Sequence, residues 1–165
     1  MRPEWADVAE RLTATISATL DGLAVSVEHI GSTAVPEMLA KPVLDIALGV
    51  EISTALADVQ APLESAGWVY RGDARDEGGH VFVLESRPGE RVAHLHLVTH
   101  NGEQWHRYLA FRGLLRSDAD ARLDYENAKV ALASQVVGDN ARREYTVGKK
   151  AIVHALLRQT SMRDG

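Results

Sequence analysis

The 165-residue chain contains no cysteine, which excludes a disulfide framework and thiolate chemistry and makes a cytoplasmic protein the simplest expectation. No apolar run approaches membrane-spanning length, and residues 1–4 lack the apolar stretch of a secretory leader, so no membrane partner is expected. Internal repeats and low-complexity linkers are missing too. Positive charge is scarce early on: residues 1–100 carry 7 Lys/Arg against 15 Asp/Glu, whereas residues 101–165 carry 11 against 8. The acidic first part disfavours nucleic acid, and the mildly basic remainder suits either bound phosphates or a solvated helix surface. What is present, 45% hydrophobic and 25% charged residues, is ordinary globular usage. The length fits one domain over residues 1–165, with 160–165 as a frayed tail.

Periodicity orders the elements. Trp5, Val8, Leu12, Ile16 and Leu20 recur at helical spacing, so residues 3–20 form an amphipathic helix stopped by Asp21-Gly22. Residues 23–30 and 42–48 read as strands, with Gly31-Ser32-Thr33 between them. Ser53 is expected to cap a second helix ended by Gly67, and residues 68–70 form a short strand before a charged loop over 71–79. Residues 80–85 and 91–99 form a hairpin through Arg87-Pro88-Gly89. From Gly102 the period becomes helical: 104–115, then a helix capped by Ser117-Asp118 and running to about 137, then 140–159. The class is α+β, a mixed sheet with flanking helices and a helical C-terminal portion.

Chemistry concentrates between residues 28 and 50. The Gly31-Ser32-Thr33 turn offers backbone N–H groups and hydroxyls to an anion, or caps a short helix. Asp45 lies inside the next apolar run, where a carboxylate must be compensated by a metal, a cation or a polar cleft. Lys41 stands at the mouth of that strand, placed to hold an anionic substrate or to pair with a carboxylate. Strand alternation puts Val43, Asp45 and Ala47 on one face, and Val92, His94, His96 and Val98 on one face of a later strand. If those strands are neighbours, Asp45, His94 and His96 share a cleft beside Gly31-Ser32. Three roles stay open for the histidines: ligands to a divalent metal with Asp45, acid–base or ligand contact, and structural hydrogen bonding.

The segment His29-Ile30-Gly31-Ser32-Thr33-Ala34-Val35-Pro36 followed by Lys41-Pro42-Val43-Leu44-Asp45-Ile46 resembles the GrpB family, small bacterial proteins (UPF0157) of nucleotidyltransferase-like fold. The likeness continues through residues 91–98, residues 105–116, and Tyr125, Lys129, Tyr145 and Lys149. The resemblance implies a nucleotidyltransferase-like mixed sheet and a nucleotide or other phosphate-containing small molecule as partner. It further implies a transferase-type site, with Gly31 and Ser32 at the phosphates and Asp45 at a divalent metal. Mg²⁺, Mn²⁺ and Zn²⁺ are the candidate cofactors. The match is partial: the second carboxylate position of the nucleotidyltransferase pattern is Ala47, and His94 or His96 stands where a third carboxylate is expected. Gly113 also replaces an acidic residue usual in the family.

Further candidates carry two readings each. His29 is read as a satisfied core residue rather than a ligand. Arg71 and Arg91 flank the cleft strands, either as phosphate contacts or as solvated rim charges. Arg112 and Arg116, Tyr125 and Lys129, and Tyr145 and Lys149 repeat the i, i+4 spacing. Three cations on successive helices can neutralise a polyphosphate, or pair with Asp118, Asp124 or Glu144. Two functional expectations follow. One is a nucleotidyltransferase-like enzyme on a phosphate-containing small molecule. The other is a non-catalytic binding or accessory module that keeps the fold without full metal ligation, as the domain's occurrence fused to dephospho-coenzyme A kinase allows.

Overall fold

A computed structural model of the protein describes residues 3–73, 79–135 and 141–163. In chain order the elements are α1 (Pro3–Thr19), β1 (Ala24–Ile30), a 3-10 turn (Ser32–Ala34), β2 (Leu44–Val50), α2 (Leu56–Ser65), β3 (Trp68–Asp73), β4 (His80–Arg87), β5 (Glu90–Thr99), α3 (Glu103–Ser117), α4 (Ala119–Gln135) and α5 (Ala141–Arg163). They form two compact units, Met1–Arg112 and Gly113–Gly165.

The first unit is built on a five-stranded sheet of order β1-β2-β5-β4-β3. β2 and β5 pair in parallel at its centre, and the other three pairings are antiparallel. A parallel pair needs a long crossover, which α2, β3 and β4 supply. The alternation of β2 sorts its side chains. Leu44, Ile46, Leu48 and Val50 enter a core with Leu95 and Leu97 of β5, Phe82 of β4, Ala9 and Ile16 of α1, and Val59 and Leu63 of α2. The opposite face of the sheet takes a second, smaller cluster in which Ile30, Ala47 and Val98 pack on Trp105, with Tyr108 and Leu109 beside them. One strand thus divides an aliphatic core from the face that carries its carboxylate.

In the second unit Asp118 caps α4, its Oδ1 accepting the Ala121 N–H at 2.9 Å, as the sequence suggests. Ala121 and Tyr125 are the buried residues of that helix. Gly148 of α5 leaves space for Leu132 of α4: a Cβ at 148 would stand 2.5 Å from a Leu132 methyl.

Three local expectations are corrected. Ser53 does not cap α2; a turn closed by Thr54 N–H to Glu51 C=O, 3.0 Å, contains it, and the helix begins after Ala55 without a side-chain cap. β3 continues to Asp73, into the stretch read as a charged loop, because pairing with β4 extends to Asp73↔His80. Helix α5 runs on to Arg163, past the end expected at residue 159. The rest of the expected loop, residues 74–78, lies outside the described residues, as do 136–140 between α4 and α5.

Candidate functional site

The register brings the central residues together. Asp45 of β2 is opposite Ile30 at the end of β1 and opposite His94 of β5. His94 Nδ1 lies 3.1 Å from Asp45 Oδ1, a hydrogen bond in which the imidazole N–H donates to the carboxylate. His96 Nε2 stands 3.8 Å from the same oxygen, beyond hydrogen-bond length. Gly31 turns the chain beside them with φ 71°, and a Cβ at that position would stand 2.6 Å from Asp45 Oδ2. Glycine is therefore required twice over, for its left-handed backbone and for the close approach of the carboxylate. The side chains of Asp45, His94 and His96 retain 22, 28 and 24% exposure, enough for a small molecule to reach them.

Helix α3 closes the other side. The Tyr108 hydroxyl lies 3.3 Å from His96 Nδ1, with the two rings 5.4 Å apart at the centroids. One turn further, Arg112 donates to Glu28 Oε2 at 2.8 Å and to the His29 carbonyl at 2.7 Å, tying the helix to β1. Trp105 lies so close to β2 that a Cβ on Gly49 would come within 2.9 Å of its indole ring. Ala47 beneath this helix is fully buried. Small residues at 47 and 49 are what let an indole approach the strand, which gives a packing reason for the alanine at the second carboxylate position.

The metal expectation meets this geometry directly. Among the described residues no set of three or more His, Asp and Glu side chains is grouped to hold a metal ion. Asp45 Oδ1 accepts from His94, His96 Nδ1 faces a tyrosine, and the second carboxylate is an alanine under an aromatic cluster. The donor set does not fit a two-metal phosphoryl centre.

The other candidates scatter. Ser32 opens the 3-10 turn next to Gly31 and is half-buried, whereas Thr33 is 2% exposed and bonded to His29 Nε2 at 2.9 Å. His29 is thereby hydrogen-bonded, though half-buried rather than in the core as expected. Lys41 is exposed four residues before Asp45. Arg71 and Arg91 both approach Glu85, at 3.5 and 4.0 Å, on the β3–β4 side of the sheet. Arg112 pairs with Glu28 rather than with the acidic residues expected for it. Tyr125, Lys129 and Lys149 belong to the second unit. There Lys129 Nζ stands 5.0 Å over the buried Tyr125 ring, a cation–π contact, and Lys149 is half-buried. Glu28 and Tyr108 were not singled out from sequence. The available signals were an acid inside a β-branched strand, and the 3-4 spacing of Trp105, Tyr108 and Arg112.

Comparison with known proteins agrees with this architecture. The profile of a family described as GrpB protein matches residues 1–159. A UPF0157 protein of Streptomyces coelicolor is 39% identical over 152 residues, spanning 92% of this chain and 77% of its own. The crystal structure of conserved protein GrpB from Enterococcus faecalis superposes with a TM-score of 0.77 at 28% identity, covering 96% of each chain. Cid1 poly(U) polymerase, solved with Mg and 3'-dATP bound, superposes with a TM-score of 0.57 at 13% identity over 90% of this chain and 48% of its own, a likeness of fold alone. The nucleotidyltransferase-like α+β arrangement is thus the observed one.

Proposed function

The chain belongs to the GrpB family, and from that premise we propose that it binds a nucleotide or another phosphate-containing small molecule in the cleft between Gly31-Ser32, Asp45 and the two histidines. The observation that carries this reading is the contact of the Gly31 backbone with the Asp45 carboxylate, 2.6 Å from a Cβ that glycine lacks. It makes the turn and the strand carboxylate one wall, with His94 completing it from β5. In this reading the Ser32 hydroxyl and neighbouring amides receive phosphate oxygens, and exposed Lys41 draws the anion in. Asp45, His94 and His96 meet the polar remainder of the ligand. Arg112 holds the wall in place and does not touch the ligand.

Transfer chemistry on that ligand is one form of this proposal. A non-catalytic accessory module is the other, and the buried Ala47 favours it, because the second carboxylate has been replaced by packing. A thermal-shift screen against nucleoside triphosphates and coenzyme A-type compounds, with and without Mg²⁺, Mn²⁺ or Zn²⁺, tests both. A ligand at a hundred times its Kd adds about 2.7 kcal/mol of stability. The expected result is a shift with a phosphate compound that disappears in Asp45→Asn. Consumption of that compound by wild type and not by Asp45→Asn identifies an enzyme; a shift without consumption identifies the accessory module. No shift with any phosphate compound refutes the binding proposal.

A further inference from the structure

The two histidines of the site are not equivalent. His96 has a neighbour at each ring nitrogen, the Tyr108 hydroxyl at Nδ1 and Asp45 Oδ1 at Nε2. His94 has one: Nδ1 is bonded to Asp45, and among the described residues nothing is bonded to Nε2. A carboxylate can only accept, so Asp45 requires the proton of His94 on Nδ1. That leaves the lone pair of the neutral ring on Nε2, across the ring from the carboxylate. An acid that fixes an imidazole by Nδ1 also stabilises the imidazolium formed when Nε2 takes a proton. The Tyr108 hydroxyl lies at His96 Nδ1, where it donates when that ring carries its proton on Nε2, the nitrogen turned to Asp45.

We infer that His94 Nε2 is the proton acceptor of this cleft, meeting a hydroxyl group of the bound ligand, with Asp45 as its positioning residue and Tyr108 as the positioning residue of His96. The ligand half of this inference rests on the binding reading above; the tautomer half does not. When the hydroxyl yields its proton, the O–H bond breaks toward Nε2, the electron pair remains on the ligand oxygen, and the imidazolium charge faces Asp45. The assignment separates two residues that sequence spacing alone treats alike.

Long-range ¹H–¹⁵N correlation of protein labelled at its seven histidines tests it, with resonances assigned through His94→Gln and His96→Gln. The expected spectrum has His94 protonated on Nδ1 and His96 on Nε2. Asp45→Ala, which removes the acceptor, should return His94 to the Nε2–H form that free imidazole side chains favour in water. Tyr108→Phe, which keeps the ring, should shift His96 Nδ1 and leave His94 unchanged. If Asp45→Ala fails to fold, Asp45→Asn, which can turn its amide N–H toward the ring, should lose Nδ1–H population. Titration with ATP should then move the His94 Nε2 resonance and leave His96 in place. An Nε2–H form of His94 in the wild type overturns the proposal, as does an ATP-stabilised protein in which only His96 responds. Absence of any ATP-induced stabilisation, with the His94 tautomer as expected, refutes the binding reading and leaves the Asp45–His94 assignment supported.

Discussion

The two faces of the central sheet are written by the same residues of β2 and β5, taken alternately, yet they obey different rules. Facing α1 and α2, Leu44, Ile46, Leu48, Leu95 and Leu97 are large, aliphatic and buried, and each fills volume. On the opposite face β2 presents Asp45, Ala47 and Gly49, and β5 presents His94, His96 and Val98. That face gives up side-chain volume at 47 and 49 so that Trp105 can lie on the strand, and it keeps its polar groups at the open end beside Gly31. The difference teaches that Ala47 is a packing residue before it is a missing ligand. A strand whose one face is a close-packed core holds the other face's groups in a fixed register at no conformational freedom of their own.

The sharpest way to break the comparison is Ala47→Asp. If the second carboxylate were simply absent, restoring it would create Mg²⁺ binding at little cost. Since Ala47 is fully buried and lies across from Glu28, whose carboxylate Arg112 already pairs, the new charge is desolvated without a partner of its own. The expected outcome is a loss of roughly 4 kcal/mol in urea unfolding, the scale of an uncompensated buried charge, with no gain of Mg²⁺ affinity by calorimetry. Wild-type stability together with tight Mg²⁺ binding would mean that α3 does not cover the strand.

Leu95→Ala probes the other face from between the two histidines. Leu95 is fully buried in the aliphatic core, and truncation there should lower stability by about 3 kcal/mol. If the faces are independent, the stabilisation produced by a saturating phosphate ligand stays at its wild-type size in the variant. A ligand response that falls along with the stability would show that strain in the core reaches Asp45 and His94 through the backbone of β5.

Much of this was legible in the sequence because it depends on local periodicity. Alternation alone placed Asp45 with Ala47 and His94 with His96, and the Gly31-Ser32 turn was marked by composition. Pairing was not legible. Nothing in the spacing says that β2 and β5 are parallel neighbours with Asp45 opposite His94, since that register is set by packing of both strands on α1 and α2. Arg112 shows the same limit. Its spacing to Arg116 suggested a phosphate-binding face, but its partner is Glu28, 84 residues earlier, reached only once α3 docks on the sheet. Tyr108 could have been found, because Trp105, Tyr108 and Arg112 fall on one stripe of a helix, and that stripe lines the site.

The smallest expected effect belongs to neither face and so calibrates both. At the turn between β4 and β5, Glu90 accepts from Ser86 Oγ at 2.7 Å and pairs with Arg87 Nε at 2.7 Å. The Ser86 hydrogen bond first, and the Arg87 contact second, hold its carboxyl below the ordinary glutamate value, with burial opposing slightly. A folded-state pKa below the unfolded one means that the unfolded chain binds the proton more readily. The contribution is therefore fully present above the ordinary glutamate pKa and is lost as pH falls through the lower, folded value. Because this carboxylate is solvent-exposed, screening keeps the effect small. The difference in Tm between wild type and Glu90→Gln should accordingly be slight at pH 7 and vanish on acidification, and ligand-induced stabilisation should be the same in both at pH 7. A Glu90→Gln difference that grew as the pH fell would reverse the sign of this linkage, and a change in ligand response would tie the hairpin turn to the Asp45 face.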